Sequence, residues 1–154
     1  MEQVLVDPER TAKAGPACPP VTPAGGDWAL EEEAGFSHRI GPMWFRRTDD
    51  GGVHGIRLEE RHTNAFGMAF GGMLMAYLDH FMAVQARLIA PERKVTIQLH
   101  TNFLSPALVG DWIEGRAQII RRTSSLLFVK GAITRDGDIV AAAHGVWKFL
   151  KPRG

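Results

Sequence analysis

Between Gly72 and Pro91 the chain runs without a glycine or a proline, and Met, Leu and Ala dominate it. That is the composition of a helix. Apolar residues fall on most of its faces, so the helix is expected to be buried on nearly every side rather than laid across a surface. Pro91 ends it. A helix of this kind dictates the rest of the architecture, because some other element must wrap around it.

The flanking segments supply that wrapping. Met43 to Thr48 and Val53 to Glu60 read as strands on either side of Asp49-Asp50-Gly51-Gly52, a strong turn signal. Beyond the helix, Val95, Ile97, Leu99, Thr101 and Phe103 alternate with Thr96, Gln98, His100 and Asn102, a period of two. Asp111 to Arg122, Ser125 to Arg135 and Asp138 to Leu150 follow as further strands, the last two joined at Asp136-Gly137. Ahead of all these, Asp27 is placed to cap a short helix from Trp28 to about Ala34, stopped by Gly35. The pattern predicts an α+β domain over residues 27–154, an antiparallel sheet around one long central helix. Pro8, Pro16, Pro19, Pro20 and Pro23 crowd residues 1–26, which read as an extended or disordered arm.

Composition narrows the function. The 154 residues carry a formal net charge of +1, which makes no case for nucleic acid as a partner. The only cysteine, Cys18, cannot form a disulfide within the chain, which fits a reducing compartment. The N-terminus lacks the apolar core of a signal peptide. The longest apolar stretch, Gly67 to Leu78, is too short to span a bilayer. The expectation is a cytoplasmic protein with no membrane partner.

The chemistry concentrates in His62 to Asp79. Asp79 lies within the apolar helix, and an isolated buried carboxylate is expensive unless it has partners or a task. A structural ion pair would satisfy it as well as catalysis would. Gly71-Gly72 open the helix, where free N–H groups and the positive end of the dipole could hold an oxygen gaining negative charge. A turn that needs glycine would explain the same pair.

The spacing adds weight. Asn64, Gly67, Gly71, Gly72 and Asp79 fall as Asn, two residues, Gly, three residues, Gly-Gly, and Asp seven residues after the second Gly. This resembles the active-site stretch of phenylacetyl-CoA thioesterase-like hot-dog enzymes. The strand from Val95 to Phe103, followed by Ser105-Pro106-Ala107, is similar to the strand after the helix in that family. The resemblance implies a hot-dog fold and hydrolysis of an acyl-CoA thioester. It implies Asp79 as general base or nucleophile, Asn64 from a second subunit placing water or substrate, the Gly71 N–H facing the thioester oxygen beside Gly72, and Thr96 assisting the water. It also implies a homodimer or a dimer of dimers, in which each site takes Gly71 from one chain and Asp79 from the other. The family usually has His before Gly-Gly; here Phe70 stands there and cannot donate a hydrogen bond to the substrate.

Other candidates are weaker. Arg121-Arg122 suit the phosphates of CoA as well as they suit a solvated sheet edge. His38, His54, His62, His80, His100 and His144 are scattered with no metal-ligand spacing, so surface or partly buried histidines are expected, with no metal and no cofactor. A non-catalytic acyl-CoA-binding module is the rival reading, and a dehydratase is a second, which Phe70 disfavours by removing the His such enzymes use.

Overall fold

The structure, a computed structural model, describes residues 26–32 and 34–151. The expected arm lies outside them except for Gly26. The elements run β1 (Ala29–Leu30), α1 (Phe36–Ile40), β2 (Trp44–Thr48), β3 (Gly51–Arg57), a turn of 3-10 helix (Glu60–His62), α2 (Gly71–Ile89), β4 (Lys94–Phe103), β5 (Trp112–Arg122), β6 (Leu126–Arg135) and β7 (Asp138–Phe149). The strands form one antiparallel sheet in the order β1-β2-β3-β5-β6-β7-β4. It wraps α2, the hot-dog arrangement.

The core sits between the helix and the inner face of the sheet. Tyr77, Leu78, Phe81, Met82 and Ala86 of α2 are fully buried, as are Ile113, Leu127, Val129 and Ile133. Two glycines set how close the helix comes. A Cβ at Gly115 would lie 2.5 Å from the ring of Phe81, and one at Gly131 would lie 2.8 Å from Met82. Their bare backbones therefore seat α2 directly on β5 and β6.

The expected helix from Trp28 to Ala34 does not form. Ala29 and Leu30 instead pair with Phe45 and Trp44 as an added strand, and the helix begins after Gly35. Tertiary contacts outweigh local propensity here. The Glu31 N–H donates to the Met43 carbonyl, and Trp28 packs edge-on to Trp112 at 5.3 Å and under the Arg46 guanidinium at 4.7 Å. The hairpin turn is also tighter than expected. Thr48 pairs with Gly51, so Asp49-Asp50 alone make the tip.

Candidate functional site

Helix α2 begins at Gly71 with Phe70 as its N-cap, and Phe70 provides no side-chain cap bond. The first intrahelical bond runs from the Leu74 N–H to the Phe70 carbonyl. The N–H groups of Gly71, Gly72 and Met73 therefore have no acceptor inside the helix, and they carry the positive end of its dipole. The entry loop is held against the domain. The Phe70 N–H donates to His62 O at 2.8 Å and the Ala69 N–H to Ala107 O at 2.7 Å.

Asn64 organises that loop. Its side-chain Oδ1 accepts from the Phe66 N–H at 2.9 Å and the Met68 N–H at 3.3 Å. Gly67, at φ 72, makes the reversal, since that backbone conformation favours glycine. The Asn64 oxygen is thus engaged locally, while its amide nitrogen has no acceptor among the described residues.

Two turns along the helix, Asp79 is half-buried and accepts from the Thr96 hydroxyl at 2.8 Å through Oδ1. Thr96 lies where the β4 ladder shifts register, between Thr96 and Gln98. The structure brings these two predicted residues together across 17 positions of sequence. It does not bring Gly71 to Asp79 within one chain. Eight residues separate them on α2, about 12 Å along the axis. An oxyanion donor and the base activating the attacking water must both reach one carbonyl group, within about 3 Å of the atoms they serve.

The remaining candidates disperse. Arg121 pairs across the ladder with Phe128 and Arg122 with the buried Leu127, which puts them on opposite faces of the sheet. Arg121 lines a cavity of about 280 Å³ on the outer face, with Gln98, Phe128 and His144. The Arg122 guanidinium bonds Glu92 and lies 5.1 Å from the Phe149 ring centroid. Phe70 and Gly72 are exposed beside each other at the helix mouth.

A second cluster carries no signal in the sequence. Glu31, His54 and His80 come from the segment after β1, from β3 and from α2, and donor atoms of all three lie within 4.8 Å of one another. His80 Nε2 is 2.8 Å from Glu31 Oε2, and its Nδ1 is 3.2 Å from Ser37 Oγ. His54 Nδ1 is 2.5 Å from Glu31 Oε1, yet out of line for a hydrogen bond. Burial would raise the Glu31 pKa, but the two imidazoles against its carboxylate outweigh that and hold it at about 2. The histidines thus depart from expectation, with His54, His62 and His80 all buried. Residues this far apart in the chain meet only through the tertiary fold, so no spacing rule could have found them.

Comparison with known proteins bears on the first site. A family profile described as the thioesterase superfamily matches residues 66–142, half of the chain, from the loop before α2 into β7. A Pseudomonas aeruginosa protein bearing an esterase name is 30% identical over 99 residues, covering 62% of this chain and 72% of the relative. Human acyl-coenzyme A thioesterase 13 is 28% identical over 93 residues, covering 58% of this chain and 65% of the relative, so the match spans just under two thirds of that enzyme's length. A mutant of the phenylacetic acid degradation protein PaaI from Thermus thermophilus superposes with a TM-score of 0.68 at 20% identity, over 75% of this chain and 98% of that one. At that identity the likeness is one of fold.

Proposed function

This chain belongs to the thioesterase superfamily, and from that premise we propose that it hydrolyses acyl-CoA thioesters to the free acid and coenzyme A, with Asp79 as the general base. One observation supports this reading above the others. A half-buried carboxylate in an apolar helix has a hydroxyl fixed on one oxygen by Thr96 at 2.8 Å, leaving the other oxygen for water. Asp79 takes a proton from that water as it attacks the thioester carbon. The carbonyl oxygen becomes an oxyanion, met by the Gly71 N–H at the positive end of α2. The tetrahedral intermediate collapses, the C–S bond breaks, and the departing CoA thiolate takes up the proton that Asp79 accepted, which restores the base. Gly72 gives the substrate close access to that backbone, and Phe70 offers an apolar wall to the acyl group. Asn64 positions water or substrate through its amide, and Arg121, on the outer-face cavity, is the candidate for the CoA phosphates, while Arg122 lies on the opposite face and is held by Glu92.

The separation of about 12 Å between Gly71 and Asp79 favours a site completed by a second copy. Among the described residues strand β4 is one edge of the sheet, paired only to β7, and it exposes Val95 and Ile97 beside Thr96. A long edge strand with exposed apolar side chains invites pairing. A two-fold pair along it makes two equal sites, as a homodimer or a dimer of dimers acting in the cytoplasm.

Phe70 favours a second reading, a module that binds acyl-CoA without cleaving it, because it removes a side-chain donor from the helix mouth. Release of free thiol from a panel of short, long and aryl acyl-CoAs separates the two. Hydrolysis predicts turnover on at least one member, and binding without turnover on any member defeats the proposal.

A further inference from the structure

We infer that Glu31, His54 and His80 form a site for a divalent transition-metal ion of zinc-like preference, which latches the segment carrying β1 and α1 onto the domain behind the Asp79 face. Two imidazoles and one carboxylate are a ligand set that suits zinc. Their donor atoms lie within 4.8 Å of one another. A tetrahedral ion with bonds of about 2.0–2.1 Å spaces its ligand atoms about 3.4 Å apart. Rotamer shifts of roughly 1 Å therefore assemble the site.

Two details favour a cation at this cluster. His54 is 1% exposed, its Nδ1 lies 2.5 Å from a Glu31 carboxylate oxygen, and its Nε2 has no hydrogen-bond partner among the described residues. The other nitrogen of His80 meets Ser37 Oγ at 3.2 Å, the outer contact that fixes the tautomer of a ligating imidazole and turns its Nε2 toward the ion. A cavity of about 290 Å³ is lined by Glu31 and Ser37, with His38, Met43 and Arg61 in its wall.

The site is separate from the hydrolytic one. His80 follows Asp79 directly, so the two side chains project about 100° apart around α2. His80 is buried toward Glu31 while Asp79 holds Thr96. Glu31 and His54 also lie outside the span matched to the superfamily. The latch thus ties this chain's N-terminal elements to its central helix.

The test uses untagged full-length protein, stripped with a chelator and then dialysed against zinc. About one zinc per chain is expected, with a Tm rise of about 5–10 °C at a zinc concentration near 100 times Kd. Glu31→Gln and His80→Gln should lose both the metal and the rise. His100 and His144 face each other across β4 and β7, so His144→Gln is the control for surface binding and should keep both. X-ray absorption on the wild type covers the case in which a variant fails to fold. Two imidazoles and a carboxylate oxygen at about 2.0–2.1 Å are expected. Stoichiometry near zero with an unmoved Tm would show the cluster to be an ion pair and overturn the inference. Loss of the metal in His144→Gln, or a spectrum without imidazole scatterers, would overturn it as well.

Discussion

The Thr96 hydroxyl fixes where the Asp79 carboxylate points, and that assigns Thr96 a measurable share of the rate. A hydrogen bond to a charged group contributes about 1.5–3 kcal/mol, and water recovers part of it at an exposed position. Thr96→Val should lower kcat by about 10-fold with little change in KM, read from initial rates of thiol release. An unchanged kcat would mean that Asp79 needs no help in orientation. That Asp79, Gly71 and Gly72 share one helix was legible in the sequence, because the run from Gly72 to Pro91 has helical composition; their roles rest on the proposed function. Asn64 was legible as a position but not as a contact, since only the folded loop commits its oxygen to the Phe66 and Met68 N–H groups. Glu31 with His54 and His80 was illegible, because each residue looks ordinary on its own element.

At the scale of elements, long-range order was written in composition while short segments were not. Helix α2 and strands β4 to β7 begin and end within a few residues of where Pro91, Ser105-Pro106 and Asp136-Gly137 place them. The segment from Trp28 to Ala34 misled because its local preference is helical. Its fate is decided by strand pairing to β2 and by the contacts of Trp28 and Glu31. The seating of α2 on the sheet depends on Gly115 and Gly131 having no side chains. Gly115→Val pushes methyl groups into the Phe81 ring, and overpacking of this kind destabilises by about 1–3 kcal/mol. Urea unfolding should show that loss as a lower midpoint at constant slope. A midpoint equal to that of the wild type would mean that α2 has room to move off β5.

For the whole molecule, the edge of β4 left unpaired by the described residues and the distance between Gly71 and Asp79 lead to one expectation, a site shared between two copies. Asp79→Asn and Gly71→Phe are each expected to be inactive alone. Mixed by co-refolding, they should regain part of the wild-type activity, because a hybrid pair holds one intact site. Hybrids that form, as verified by mass, yet stay inactive would place both residues in the site of one chain. All of this rests on Asp79 being the base, and thiol release by Asp79→Asn on the best acyl-CoA tests that most directly. The substitution keeps the size and the contact with Thr96 while removing the proton acceptor, so kcat should fall by about 10²–10⁴-fold with the fold intact by circular dichroism. Wild-type turnover in that variant would contradict the account.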